Sequence, residues 1–221
     1  MFLAAALLGG FAALPASSRK AVNYEVQEFR LPLGVKISEF LLRDYWYRRL
    51  SGEIAQGRRD PQVRLETFLS WTRERIRPIP PGWPVVDDHI LHTIIRGYGE
   101  EEQTADVFTT LASYAGIPSF WGVVQREQGR SVLSFCRLSG RWTVWDAARG
   151  GPFLNPDGSF VSVTELSRRP EMAPLAHFFV PTFTRAQKQM PWPRLICEAQ
   201  RPWMRLINKE EEFDPKIVFR N

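Results

Sequence analysis

The segment from Gly97 to Pro118 says more about the fold than any other part of the sequence. It consists of a glycine-containing turn, an amphipathic stretch and a Gly-Ile-Pro sequence that ends this stretch. The turn contains Gly97 and Gly99, and the apolar residues after it recur every three or four positions. These apolar residues are Ala105, Phe108, Leu111, Ala112 and Ala115. Such spacing is typical of a helix that buries one stripe. Gly116 can end this helix in the left-handed conformation, and Pro118 prevents its continuation. The pattern predicts a buried helix over residues 101–115.

Three strand-like runs follow the predicted helix, at residues 120–125, 132–138 and 142–146. They are rich in β-branched and aromatic residues and are separated by short polar turns that contain Gly129 and Gly140. Short spacers favour antiparallel pairing of neighbouring strands. The sequence therefore predicts an α+β fold in which a central helix packs on an antiparallel sheet.

The N-terminal part has helical patterns. Residues 37–56 are predicted to form a helix that exposes Arg43, Arg48 and Arg49 and buries Phe40, Leu41, Tyr45, Tyr47 and Leu50. A second helix is predicted from Asp60-Pro61 to about residue 76, because Asp is a good N-cap and Pro fits the first helical position. The proline-rich segment 77–84 ends this helix, and its prolines are expected to forbid regular strand pairing.

These patterns divide the chain into four parts. We expect a hydrophobic leader or anchor arm over 1–20, a helical N-terminal extension over 21–80, the α+β core over 81–165, and an irregular basic and aromatic C-terminal wrap over 166–221. A chain of 221 residues can bury one good core with appended segments.

Composition excludes several classes of protein. The 44% hydrophobic and 13% aromatic content excludes disorder as the main state. The net charge of +5 is too small for a nucleic-acid footprint, so no nucleic-acid partner is expected. The two cysteines, Cys136 and Cys197, do not make a disulfide framework, and both have the apolar neighbours of core residues.

The block from Gly97 to Pro118 resembles the catalytic block of the transglutaminase-like branch of the papain-like superfamily. That pattern is roughly G-x-G-x-C-x-D-x-A-x-x-F, then a leucine-rich helix and G-I-P. A second family pattern, G-R-W-x-x-x-D, is matched by the segment from Gly140 to Asp146. The resemblance covers residues 96–147 and implies a papain-type core, in which a helix packs on an antiparallel sheet.

The resemblance also implies positions for a catalytic Cys, His and Asp. The cysteine position is occupied by Glu101, and the histidine position falls on Arg130 or Ser131. A carboxylate cannot do thiolate chemistry, and neither Arg nor Ser shuttles protons near neutral pH. The third position is retained as Asp146, which we expect to bond the adjacent turn. The expected protein has the fold without the reaction, with Glu101, Ser131 and Asp146 as degenerate positions and no catalytic residue.

The former substrate groove is expected to bind a peptide or a loop of a protein partner. Its predicted lining consists of Tyr98, Glu101, Gln103, Phe120, Trp121, Ser131 and Asp146. The predicted role is a non-catalytic binding or scaffolding subunit. Two alternatives remain open: an active hydrolase or acyltransferase that uses Glu101 or a relocated Cys136, and a purely structural subunit of a membrane complex.

Two segments suggest contact with a membrane or a partner. Residues 1–16 form an apolar run whose helical length of about 24 Å is short of a hydrocarbon core of roughly 30 Å. This run is either a secretory leader or a retained anchor.

Residues 188–207 interleave basic and aromatic side chains that either contact a membrane or partner or pack on the core. The candidate contact residues are Trp192, Arg194, Trp203 and Arg205. The expected location is a bacterial membrane or cell-envelope assembly, with peripheral or N-terminal attachment.

His89 and His92 lie one helical turn apart beside Asp87 and Asp88 in a predicted short helix over 87–96. Such a group could bind a divalent cation, but its spacing does not assure a third ligand. Hydrogen bonds to the proline-rich connector and capping of the short helix are the expected roles of these four residues. No metal and no other cofactor is therefore expected.

Overall fold

The computed structural model describes residues 10, 12–126, 129–168 and 179–180. Its helices are α1 (Leu33–Ala55), α2 (Pro61–Arg75), α3 (Ile90–Arg96), α4 (Glu101–Tyr114) and α5 (Val163–Arg168). Its strands are β1 (Pro15–Val22), β2 (Glu25–Pro32), β3 (Arg77–Pro78), β4 (Val86–Asp87), β5 (Tyr98–Gly99), β6 (Ser119–Arg126), β7 (Gly129–Leu138), β8 (Arg141–Trp145) and β9 (Phe179–Val180). The predictions for residues 1–9 and 188–207, and for Cys197, lie outside the described residues.

The central helix and its sheet confirm the predicted α+β arrangement. After α4, Gly116 takes the predicted left-handed conformation, with φ of 84°. Strands β6, β7 and β8 form an antiparallel meander, and β9 pairs with β6, so the strand order is β8-β7-β6-β9. Cys136 of β7 and Trp145 of β8 share a core cluster with Phe108 of α4. The rings of Phe108 and Trp145 are 5.8 Å apart.

The hydrophobic core continues across the proline-rich connector. Leu65 and Phe68 of α2 are fully buried in the same cluster as Leu111 of α4. The Ser51 hydroxyl of α1 donates a hydrogen bond of 3.0 Å to the carbonyl oxygen of Leu111. The helices predicted as an extension therefore pack directly on the core elements.

Helix α1 begins at Leu33 rather than at residue 37, and its buried face agrees with the prediction only in part: Tyr47 is buried and Leu50 packs against the core, as predicted. Leu41 and Tyr45 are 59% and 53% exposed, whereas Arg43 is only 9% exposed. The prediction was wrong for these residues because apolar residues lie on all sides of this helix, so periodicity does not select a face. Tertiary contacts select it instead, among them the 3.0 Å hydrogen bond from the Leu91 N–H to the Tyr47 hydroxyl.

Helix α2 begins as predicted, and the connector after it differs from the prediction in one respect. The Asp60 side chain accepts a hydrogen bond of 2.9 Å from the Val63 N–H, and Pro61 is the first helical residue. Residues 77–78 then pair in parallel with residues 98–99, although prolines were expected to prevent pairing. The pairing is possible because it is only two residues long and Pro78 lies at its end, where the missing N–H is tolerated.

A β-hairpin that the sequence did not predict precedes α1. Strands β1 and β2 pair antiparallel along their full length through a two-residue turn. The turn residues Asn23 and Tyr24 have φ of 50° and 68°, which is the geometry of tight hairpin turns that usually contain glycine. Strand β4 pairs with the other edge of β1, so the order in this sheet is β2-β1-β4.

Candidate functional site

A cleft of about 610 Å³ opens at the N-terminal end of α4. It lies between the end of α2, the proline-rich connector and the turn that follows β8. Its apolar lining includes Ile76, Pro78, Ile79, Val85 and Ala148. Its charged lining consists of Arg73, Glu100, Glu101, Glu102 and Arg149. The volume is within the range of about 300–1,000 Å³ that is usual for ligand sites.

The first turn of α4 is fixed by a capping box between Glu100 and Gln103. The Glu100 N–H donates to Gln103 Oε1 at 3.1 Å, and Gln103 Nε2 donates to the Val86 carbonyl oxygen at 2.6 Å. These bonds direct the amide of Gln103 toward the helix cap and β4. Gly99 makes room for it, because a Cβ at this position would lie 2.9 Å from Gln103 Oε1.

Glu101, which occupies the cysteine position of the resemblance, forms an ion pair with Arg149. The Glu101 side chain is 31% exposed and that of Arg149 is 65% exposed. A pair this exposed contributes at most about 1 kcal/mol to folding. The location of the pair matters more than its strength, because the Arg149 guanidinium covers the Glu101 carboxylate at the start of α4.

Asp146 and Arg73 hold the backbone from which Arg149 extends. Asp146 Oδ1 accepts hydrogen bonds from the N–H groups of Ala148, at 3.2 Å, and Arg149, at 2.8 Å. The Arg73 guanidinium donates to the carbonyl oxygens of Gly150 and Arg149, at 3.1 and 3.4 Å. These are turn contacts of the kind expected for Asp146 from the sequence.

The tip of the β1–β2 hairpin forms part of the rim of the cleft. The Asn23 N–H donates to the Val85 carbonyl oxygen at 2.8 Å, and the Val85 N–H donates to Asn23 Oδ1 at 2.9 Å. The Tyr24 hydroxyl donates to a carboxylate oxygen of Glu100. The turn is therefore bonded both to the connector and to the residue that precedes α4.

The structure does not bring the seven predicted groove residues together. Phe120 is 1% exposed and stacks on Phe135, with ring centres 5.0 Å apart, so it belongs to the sheet interior. Trp121 is half-buried, as expected for the next residue of a strand, whose side chain points to the opposite face. Ser131 is buried in β7, and Tyr98 packs edge to face on Trp83. Of the seven, Glu101 lines the cleft.

Cys136, the relocated nucleophile of the enzymatic alternative, is fully buried in β7. Burial raises the pKa of its thiol to about 12. The backbone around it is paired on both sides, opposite Ser119 of β6 and Thr143 of β8. Cys136 therefore has the surroundings of a core residue, and it is not part of the cleft lining.

The two histidines near α3 also lie outside the cleft lining. His92 Nδ1 is 2.9 Å from Asp88 Oδ2, and Arg96 donates to both oxygens of Asp88 at 2.9 Å. Burial opposes ionisation of Asp88, but the bonds and charge of Arg96 outweigh it and lower the pKa of Asp88. Burial, followed by the charge of Arg43, lowers the pKa of His89 to about 4. Among the described residues, no group of three or more His, Cys, Asp or Glu side chains could hold a metal ion.

Sequence reasoning missed Arg73, Arg149 and Tyr24. A weak signal existed for Arg149, because an Asp three residues earlier is typical of a side-chain-capped turn. Arg73 bonds the backbone of Arg149, which lies 76 positions away in the sequence, and Tyr24 bonds Glu100 over the same sequence separation. Such long-range contacts leave no local pattern.

No protein-family model matches this chain, and no curated protein matches its sequence. Comparison of structures finds a candidate cysteine protease from Cytophaga hutchinsonii with 15% identity and a TM-score of 0.44, covering 54% of this chain and 41% of that one. A candidate protease from Parabacteroides distasonis has 10% identity and a TM-score of 0.40, with coverages of 69% and 41%. A transglutaminase has 10% identity and a TM-score of 0.40, with coverages of 65% and 47%.

The chain spans less than half the length of each of these solved chains. Its own architecture has the feature on which the resemblance in sequence depends, a central helix followed directly by an antiparallel meander. The molecule is thus an α+β protein in which a central helix is followed directly by an antiparallel meander.

Proposed function

We propose that this protein is a non-catalytic member of the transglutaminase-like group and that it binds a peptide or a loop of a partner protein in the cleft at the start of α4. The observation that carries the proposal is the ion pair between Glu101 and Arg149, because Glu101 occupies the position at which the resemblance implies a nucleophile. The role is that of a binding or scaffolding subunit.

The distribution of reactive groups supports a non-catalytic role. Glu101 is covered by a guanidinium, and Asp146 is engaged by two backbone N–H groups of the following turn. Neither His89 nor His92 lines the cleft, and the Cys136 thiol lies in the core. A nucleophile and a general base within hydrogen-bonding reach of each other are the minimum for acyl transfer.

The shape and chemistry of the cleft favour a peptide. Its apolar wall, formed by Ile76, Pro78, Ile79 and Val85, faces the charged start of α4. Trp83 in the same connector is 54% exposed and offers an aromatic surface beside this wall. Extended peptides combine apolar side chains with backbone and charged groups, so they match a lining of this mixed kind.

The proposed setting is a membrane-associated assembly of the bacterial cell envelope. The apolar sequence of residues 1–16 supports it. None of the helices that the structure describes is long and apolar enough to cross a bilayer. The proposed attachment is peripheral or through the N-terminal segment.

Capture of a partner from the native host tests the proposal. The Arg149→Glu variant places a third carboxylate group against Glu101 and Glu102 and should lose the co-purifying protein. Arg59→Glu, a change of the same charge at an exposed loop residue, should retain it. Equal capture by both variants would contradict binding in the cleft.

An activity test distinguishes the proposed non-catalytic role from the enzymatic alternative. Wild-type protein and the Glu101→Gln variant are incubated with amide and ester peptide substrates, and the products are measured by mass spectrometry. The proposal expects no turnover by either protein. Turnover that disappears in Glu101→Gln would establish an enzyme instead.

A further inference from the structure

The exposed side of α1 carries an apolar surface that packing within the described chain does not use. We define the outer face of α1 as Ile37, Ser38, Leu41, Leu42, Tyr45, Arg48 and Arg49, which follow one another at helical spacing. Its large apolar residues are between 37% and 59% exposed. Val35, beside this face, is 46% exposed. The buried positions Tyr47 and Ser51 lie on the opposite side, toward α3 and α4.

Charge is distributed unequally over this helix. The outer face contains two arginines and no carboxylate, although Glu39, Asp44 and Glu53 occur in the same helix. Asp44 pairs with Arg48 at 2.8 Å and Glu53 pairs with Arg49 at 2.6 Å, both at the margins of the face. The Arg48 guanidinium also lies 5.5 Å from the centre of the Tyr114 ring of α4. Exposed ion pairs of this kind are weak, so each guanidinium can exchange its carboxylate for the phosphate of an anionic lipid at the border of the apolar surface.

Aromatic rings mark the boundary between the apolar and the basic part. Tyr45 and Trp46 are in edge-to-face contact, with ring centres 5.6 Å apart. The Arg49 guanidinium lies over the Trp46 ring at 5.2 Å. Tyr, Trp and Arg in this arrangement are typical of segments that lie between hydrocarbon and headgroups.

The apolar N-terminal segment joins the molecule at the same place. Gly34 lies on the outer side of the first turn of α1, and a Cβ there would be 3.0 Å from the Cβ of Ala12. The chain therefore enters directly over the start of the outer face. Residues 1–9, which precede this entry, contain Phe2, Leu3, Leu7 and Leu8 and no charged side chain.

We propose that the outer face of α1 lies in the plane of an anionic phospholipid surface, with Leu41 and Leu42 among the acyl chains and Arg48 and Arg49 at the headgroups. The proposal rests on the membrane setting of the proposed function and identifies the surface that makes the contact. It places the residues of α4 around Leu111 on the opposite side of α1 from the lipid, because Ser51 of α1 bonds Leu111.

Vesicle co-sedimentation of the purified full chain tests this surface. Vesicles of phosphatidylcholine alone are compared with vesicles that also contain phosphatidylglycerol. We expect binding to the anionic vesicles and at least about tenfold weaker binding of the double variant Leu41→Gln/Leu42→Gln. Arg48→Gln/Arg49→Gln should reduce the difference between the two vesicle types. The matched control is Ile95→Gln, a 64% exposed apolar residue of α3, which should bind like wild type.

Three results would overturn the inference. They are failure of the wild type to sediment with either vesicle type, equal binding by the Leu41/Leu42 variant, and a large fall in the melting temperature of that variant. The third result would mean that another part of this chain covers the face. The two proposals fail separately, because the Leu41→Gln/Leu42→Gln variant should lose lipid binding and still capture the partner. If wild-type protein captures the partner but sediments with neither vesicle type, the lipid surface alone is wrong. If wild-type protein binds anionic vesicles but Arg149→Glu captures the partner as well as wild type does, the cleft alone is wrong.

Discussion

The Arg149 N–H donates a 2.8 Å hydrogen bond to Asp146 Oδ1, and the side chain of the same Arg149 extends to Glu101. In the family that the chain resembles, the position of Asp146 implies a residue that orients a catalytic histidine. Here Asp146 orients an arginine instead, and the arginine covers the carboxylate at the cysteine position. One turn thus connects two of the three degenerate positions.

Loss of the Asp146 side chain should release this turn. Asp146→Ala removes the acceptor for two backbone N–H groups, and we expect the free energy of unfolding to fall by about 1 kcal/mol. Partner capture should weaken as well, because Arg149 is no longer held. Thermal denaturation and capture measure the two effects. Asp157→Ala is the control, since Asp157 bonds Ser159 in an exposed turn away from the cleft lining.

Gly99 should not tolerate a side chain. A methyl group at this position would lie 2.9 and 3.0 Å from atoms of Gln103 and 3.1 Å from Thr93. Gly99→Ala is therefore expected to destabilise the protein by about 1–3 kcal/mol and to disturb the start of α4. Gly52→Ala in α1 has no neighbour within 4 Å and should raise stability by about 0.5–1 kcal/mol. Denaturant unfolding measures both, and an unchanged Gly99→Ala midpoint would contradict the packing.

Acid should weaken the fold through His89. Its pKa is lowered to about 4, so the folded state resists the protonation that the unfolded chain accepts near 6.5. This contribution is present above pH 6.5 and is lost as the pH falls from 6.5 to 4. The loss amounts to about 1–2 kcal/mol once solvent screening of the exposed part of the ring is allowed for. Asp88, whose pKa is lowered, stabilises the fold at all pH values above its usual pKa of 3.8, and this contribution is lost only at lower pH.

Unfolding measured against pH checks the His89 contribution. His89→Gln should flatten the stability profile between pH 6.5 and 4. His92→Gln removes a ring that is 51% exposed and serves as the matched control. An unchanged slope in His89→Gln would show that other groups carry the acid sensitivity.

Cys136 should resist thiol reagents in the native state. Its pKa of about 12 and its complete burial leave little accessible thiolate at neutral pH. In a Cys197→Ser background, iodoacetamide labelling followed by intact mass should be slow in buffer and stoichiometric in denaturant. Rapid stoichiometric labelling in buffer, with loss of an activity, would support the enzymatic alternative.

Local patterns predicted the parts of the fold that local chemistry decides. The helix from Glu101, the stop at Gly116 and the antiparallel meander all follow from spacing and turn residues within a short window. The hairpin was missed because its turn is Asn23-Tyr24 without glycine. Both Tyr45 and Tyr47 of α1 were predicted to be buried, and the prediction was wrong for Tyr45 because distant groups, such as the Leu91 N–H that bonds Tyr47, decide which tyrosine faces the core.

The candidate site was less predictable than the fold. Glu101 and Asp146 were recognised because each lies in a motif with a fixed spacing. Phe120 was assigned to the groove with Trp121, although neighbouring strand residues point to opposite faces. Arg73 and Arg149 meet only after α2 and the turn beyond β8 have packed together, so no local sequence window contains their relationship.

The two hydrogen bonds between Asn23 and Val85 have a practical consequence for anyone who shortens this protein. A version that starts at Leu33 would retain every residue of the cleft lining, yet the connector that carries Val85 would lose its tether on that side. Binding assays with such a truncated protein would report on a loosened recognition surface, even where circular dichroism shows the helices intact.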